Sequence, residues 1–130
     1  MNEQVTQAFR SAAYRNTKRG TVTTRVGHLR YDSSIELAFI EKCAADSDVL
    51  SLTRCAHVIQ YVDHLGHTRN HHPDFTMTTA AGTCICEVKS IWTVKHPDVA
   101  LKEAAAREQG HDYRVMLGHK VGNGVEFGPP

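Results

Sequence analysis

His71–Lys89 reads HHPDFTMTTAAGTCICEVK, and the way this stretch folds decides the rest of the chain. Two runs rich in β-branched and apolar residues, Asp74–Thr79 and Thr83–Lys89, flank Ala80-Ala81-Gly82, the pattern of a β-hairpin. Pro73 has no amide proton for a ladder, so it marks a strand boundary or bulge. Side chains alternate along a strand, which sets Ile85, Glu87 and Lys89 on one face and Cys84, Cys86 and Val88 on the other. The thiols therefore point away from the acid and the lysine. They suit packing against a helix and not a metal shared with Glu87.

Upstream, Asp32-Ser33-Ser34-Ile35-Glu36 is a helix start, with Ser33 as the cap and Glu36 three residues later completing a capping box. The helix is expected to reach Ala45, with Leu37, Ile40 and Ala44 on its core line and Phe39 and Cys43 beside them. Val49–Thr53 is a short linking segment with room for a strand. His57–Asp63 is a longer strand, and His64–His67 is a turn in which Gly66 supplies positive φ. Thr68–His72 then returns antiparallel.

Downstream, His96-Pro97-Asp98 opens a second helix with proline in its first turn. Ala100, Leu101, Ala104 and Ala105 are its expected packing face, Glu103 and Arg107 form an i,i+4 pair, and Gly110 ends it. Asp112–Leu117 is the last core strand. The resulting order α-β-β-β-α-β describes an α/β (α+β) domain over residues 30–117, a mixed central sheet flanked by helices. Residues 1–29 read as a basic arm with a short helix over Glu3–Tyr14; Thr21–Val26 is β-branched enough for a strand and equally suits an extended arm leading into the body. The Gly/Pro-rich residues 118–130 read as a peripheral tail.

At 130 residues the chain can build one core without staples. No apolar run approaches the roughly 18 residues of a membrane helix, so an intracellular, cytoplasmic protein without a membrane partner is expected. Cys43, Cys55, Cys84 and Cys86 lack C-x-x-C spacing and are expected as reduced thiols. The net charge of +1 hides an asymmetry: residues 1–31 hold six basic side chains against one acid, while the remainder hold nine against thirteen. A basic arm beside an acidic site suits a polyanionic partner, drawn in by counterion release. Arg15, Lys18, Arg19, Arg25 and Arg30 are its candidate DNA contacts. Lys102 and Arg107, on the helix after the motif, are open to a phosphate-facing reading, but a solvated helix surface is the expectation for both.

Asp74 and Glu87 carry the chemistry. From adjacent antiparallel strands their carboxylates can converge on one hard divalent cation, and the Val88 carbonyl can add a third oxygen. Lys89 lies roughly 7 Å along the strand from Glu87, on the same face, within reach of a water or phosphate. Each piece alone has a plain structural reading, E-x-K as an exposed ion pair and P-D as a turn. Their combination with a further acid, Glu36, on an upstream helix is much rarer.

Pro73-Asp74 followed, after twelve intervening residues, by Glu87-Val88-Lys89 resembles the PD-(D/E)xK nuclease motif. The run Tyr31–Phe39, then Ile59-Gln60-Tyr61, Gly66, His72-Pro73-Asp74-Phe75 and Glu87-Val88-Lys89, is similar to the N-terminal catalytic domain of TnsA-type transposon endonucleases. The resemblance implies a restriction-endonuclease-like core and Mg²⁺-dependent cleavage of DNA, with Mn²⁺ able to substitute. It implies Asp74 and Glu87 as metal carboxylates, Glu36 as the helical acid bound to the ion directly or through water, and Lys89 as the catalytic lysine. The transposon enzymes can carry glutamine where this chain has Glu87, and the length leaves no room for their second domain. A free-standing nuclease, phage- or mobile-element-encoded, is the expectation, acting as a homodimer if both strands are cut.

The nearest rival within this class is a Holliday-junction resolvase. A non-catalytic nucleic-acid-binding module is the rival of another class. A small zinc protein built on His64, His67, His71 and His72 is disfavoured, because adjacent His71 and His72 point to opposite faces of a strand. His72, next to Pro73-Asp74, is the histidine expected nearest the site, with the others in turns or on the surface.

Overall fold

A computed structural model describes residues 19–91, 93–122 and 124–128; the expected helix Glu3–Tyr14 and the candidate contacts Arg15 and Lys18 lie outside them. The elements run β1 (Gly20–Thr24), β2 (Gly27–Tyr31), α1 (Ser34–Ala45), β3 (Val49–Arg54), β4 (Ile59–Val62), β5 (Thr68–His71), β6 (Phe75–Thr79) and β7 (Gly82–Ser90). A 3-10 turn at Thr93–Lys95 leads to α2 (Pro97–Glu108), β8 (Tyr113–Val121) and β9 (Gly124–Phe127). The central sheet has five strands in the order β3-β6-β7-β8-β9. β7 and β8 are parallel and the other neighbours antiparallel. The molecule is thus a mixed α+β fold. β1–β2 and β4–β5 are separate two-stranded hairpins.

Helix α1 begins where the sequence says it should. The Ser33 hydroxyl accepts the Glu36 N–H at 3.1 Å, and Glu36 Oε1 accepts the Asp32 N–H at 2.9 Å, one residue further out than the usual capping box. Its other end is closed by Arg25, which donates to the carbonyls of Ala44 (3.2 Å), Cys43 (3.3 Å), Asp46 (2.7 Å) and Val49 (2.8 Å). Cys43 and Ala44 lie in the last turn of the helix, Asp46 is its C-cap and Val49 opens β3, and a cation at that end complements the helix dipole.

The two faces of β7 bury against different partners. Cys84, Cys86 and Val88 join Phe39, Ile40 and Cys43 of α1 together with Leu52, Phe75 and Met77. Ile85 joins Ile59, Ala106 and Tyr113 on the α2 side. The expected alternation holds. The four cysteines are free thiols, and burial pushes Cys43 up to about 12, far from the reactive thiolate range.

Three sequence expectations need correction. Of the two readings of Thr21–Val26 the strand holds, as β1, and the part of the expected arm from Gly20 on packs on the body: Val26 and Leu29 are buried in the α1-side core, with Val22 packed against it. The chain after Leu117 is not peripheral either, since β8 continues to Val121 and β9 returns to bring Phe127 edge-on to Phe39 at 5.6 Å between ring centroids. The packing face of α2 is also rotated from the expected one. Val99 and Ala106 are its buried residues, while Leu101 is 38% exposed. Small apolar residues occur all round this helix, so composition does not fix its phase. The cap at His96 and the fit of Ala106 against Ile59, Ile85 and Tyr113 do.

Candidate active site

The β6–β7 register pairs Phe75 with Cys86, so the next step sets Asp74 opposite Glu87. Directly opposed residues of antiparallel strands share a face, which is how a proline-ended strand brings two carboxylates together. Proline has no N–H for the Val88 carbonyl, and the Val88 N–H donates instead to Asp74 Oδ2 at 2.7 Å. Burial, together with the neighbouring Glu87, raises the Asp74 carboxyl to about 7, against the opposing pull of the Val88 N–H and Arg54. Asp74 therefore keeps its proton to higher pH than an exposed carboxyl does.

Glu87 is itself 3% exposed and firmly held. Its Oε2 lies 2.8 Å from His71 Nε2 and 3.5 Å from the Tyr113 hydroxyl, and those two groups are 2.9 Å apart. Burial lowers His71 to about 4, helped by the Lys102 and Lys89 ammonium groups, and its Nε2 is hydrogen-bonded to the Tyr113 hydroxyl, which in turn donates to Glu87. The expectation about the two histidines is therefore reversed. His71 faces inward and His72 is exposed. Strand alternation shows that one of the two points to Glu87, but only the β4–β5 register says which.

Arg54 is the site residue that sequence reasoning missed. It is the last residue of β3 and pairs with Phe75, its guanidinium lying 4.7 Å above that ring. It contacts Glu36 Oε1 at 2.6 Å, Asp32 Oδ2 at 3.5 Å and Asp74 Oδ1 at 4.0 Å. Glu36 thus joins Asp74 through a shared cation, while also serving the cap. Nothing in the sequence around Arg54 marks it; its position depends on the β3–β6 register.

Lys89 is half-buried on β7 and lines an open hollow with Lys95, Lys102, His96, Asp98, Thr93 and Val99. Among the candidate DNA contacts, Arg19 and Arg30 are exposed, and Arg30 lies 3.4 Å from Asp32 Oδ2. Arg25 is committed to the end of α1. Arg107 is taken up by Glu103 at 2.8 Å and by the Tyr113 carbonyl at 3.1 Å.

The four histidines of the zinc reading do not converge. His64 is on Asp98, His67 beside Asp63, His71 on Glu87, and His72 is exposed. His64, His96 and Asp98 do bring their ligand atoms within 4.8 Å of one another. Their hydrogen bonds explain that closeness: Asp98 Oδ1 accepts the His64 N–H at 2.9 Å and lies 2.8 Å from His64 Nδ1, while His96 Nδ1 accepts the Asp98 N–H at 3.1 Å. The cluster clasps the β4–β5 turn to the start of α2.

The donor set around Asp74 suits a hard divalent cation. Two facing carboxylates retain a proton that a cation can replace, and the N–H and C=O of a strand residue point the same way, so the Val88 carbonyl is directed with its amide toward Asp74. Among the described residues, no helix is long and apolar enough to cross a membrane. No protein-family model and no curated protein matches the sequence.

Proposed function

We propose that this protein is a Mg²⁺-dependent endodeoxyribonuclease with a restriction-endonuclease-like core of the PD-(D/E)xK kind. The observation that carries the reading is Asp74 set opposite Glu87, with Lys89 on the same face of β7 and the Asp74 carboxyl raised to about 7. With the β4–β5 hairpin inserted between β3 and β6, the order α1, β3, β6, β7, α2, β8 follows the α-β-β-β-α-β order read from the sequence, and its mixed sheet, with β7 parallel to β8, is consistent with this reading.

Asp74, Glu87 and the Val88 carbonyl would hold Mg²⁺, with Mn²⁺ able to substitute, and Glu36 would support it from the helix side. When bound, the ion supplies Lewis-acid stabilisation of phosphate charge and a more acidic water. The protein's own groups do the rest. His71 and Tyr113 fix the Glu87 carboxylate in one orientation, as the supporting partners of a metal ligand do. Lys89 orients the attacking water and offsets charge on the scissile phosphate. Arg54 balances Asp32, Glu36 and Asp74, so the acids remain close when no ion is bound.

Cleavage of supercoiled, linear and four-way-junction DNA, compared in one Mg²⁺ assay, tests the reading. Cutting that requires Asp74 supports it, and preference for the junction would identify a resolvase. DNA binding without cutting, and without a carboxylate-dependent Mg²⁺ site, would replace it with a non-catalytic binding module.

A further inference from the structure

Lys102 does not lie where an ordinary surface lysine would. It falls three residues after Val99 and four before Ala106, the two buried residues of α2, and so occupies the helix face turned to the sheet. Its side chain is half-buried and its ammonium stands 5.7 Å from the centroid of the Tyr61 ring, a cation–π contact that fixes where the charge sits. From there it lines one hollow with Lys89 and Lys95. Three lysines thus line a single open hollow. The only carboxylate on its lining, Asp98, is engaged by the His64 N–H and ring.

We propose that this hollow is a second phosphate seat, in which Lys102 and Lys95 bind the DNA backbone next to the phosphate that Lys89 addresses. The inference rests on the nuclease reading for its substrate and extends it by naming where the neighbouring backbone lies. Each strand of duplex DNA carries a phosphate about every 3.4 Å of helical rise, so a strand positioned at Lys89 must bring further phosphates close by. Lys102 on α2 and Lys95 just before it line the same hollow as Lys89 and so stand where such neighbouring phosphates can be met. Arg25, one of the DNA contacts expected from the sequence, is committed to backbone carbonyls, and Arg107 on the same helix as Lys102 to Glu103 and the Tyr113 carbonyl.

The test is the affinity of the full-length protein for a short fluorescent DNA duplex in EDTA, measured across a salt series. Lys102→Gln, which keeps the stem over Tyr61, and Lys95→Ala are compared with Lys42→Ala on α1, and melting curves confirm folding. Each hollow variant is expected to weaken binding roughly 3- to 10-fold and to lower the salt slope by about 1, with Lys42→Ala unchanged and Lys102→Arg restoring the wild-type slope. Wild-type slope and affinity in Lys102→Gln and Lys95→Ala would overturn the proposal, as would failure of the wild type to bind. The same proteins are then assayed for cleavage in Mg²⁺. Cleavage with unaltered slopes refutes the phosphate seat alone, whereas altered slopes without any cleavage refute the nuclease reading and leave the seat in place.

Discussion

His71 Nε2 lies 2.8 Å from Glu87 Oε2, with the two side chains only 6% and 4% exposed. A carboxylate that deep in the protein needs donors: the Tyr113 hydroxyl on β8 donates to it at 3.5 Å, and His71 on β5 stands against both groups. The strand bearing the proposed metal ligand is thereby tied to the peripheral β4–β5 hairpin. That hairpin has a structural purpose beyond the central sheet.

Replacing His71 by Ala removes the shorter of these contacts and leaves Glu87 buried with fewer polar partners. The expected cost is about 1–3 kcal/mol in urea denaturation, because the remaining partner keeps its desolvation penalty. Mg²⁺ affinity is expected to fall by about 10-fold or more, as for other partners that orient a metal ligand. Tyr113→Phe, which removes the longer contact, is expected to be milder in both. A His71→Ala protein with wild-type stability and Mg²⁺ affinity would show that Glu87 is held by something else.

The raised Asp74 carboxyl gives a pH dependence of definite sign. Its folded-state value, about 7, lies above the ordinary 3.8, so the folded protein binds the proton more tightly than the unfolded chain. The stability it contributes is full below about pH 4 and is lost as pH rises toward 7. Asp74→Asn, which mimics the protonated acid, should therefore become more stable than wild type across this window without metal, by on the order of 2 kcal/mol at pH 7 and above. His71 carries the opposite slope and is common to both proteins. Adding Mg²⁺ should close the gap by stabilising wild type alone. Parallel stability–pH curves for the two proteins in EDTA would refute this account of the pair.

Arg25→Ala tests a reassignment from DNA contact to helix cap. Losing its bonds to four carbonyls, at the last turn and cap of α1 and the start of β3, should lower stability by about 1–2 kcal/mol, while the salt dependence of DNA binding stays at the wild-type slope. A reduced slope with unchanged stability would return Arg25 to the DNA interface.

What was legible in the sequence was local. The Ser33–Glu36 cap, the β6–β7 hairpin, the alternation along β7 and the stop at Gly110, where φ is +91°, depend on residues a few positions apart. What escaped depends on register or phase between distant segments. Arg54 enters the site only because β3 pairs with β6, and His71 displaces His72 only because β5 pairs with β4 in one register. Lys102 turns inward because the phase of α2 is set by packing, which a helix with alanines on several sides does not announce. The segment after Leu117 looked like a tail because glycines and prolines outnumber its apolar residues, yet Val125 and Phe127 suffice for an edge strand.

Gly118 checks that edge strand. A Cβ there would stand 2.9 Å from Phe127 Cε1, 3.2 Å from Ile35 Cγ2 and 3.3 Å from Val125 Cγ1. Gly118→Ala is expected to destabilise the fold by about 1–3 kcal/mol through overpacking, and Phe127→Ala by a similar amount or more through loss of its contact with Phe39. Wild-type melting of both variants would mean that β9 does not pack on α1.

The most direct test of the central claim is Mg²⁺-dependent relaxation of supercoiled plasmid by wild type, Asp74→Ala and Lys89→Ala, with Mg²⁺ binding measured on the same proteins by calorimetry. Asp74→Ala is expected to lose both binding and cleavage. Lys89→Ala is expected to keep the ion but to cut at least about 100-fold more slowly, since it loses only the group aimed at the reacting water and phosphate. Equal cutting by all three proteins, or no Mg²⁺-dependent cutting by the wild type, would contradict the account.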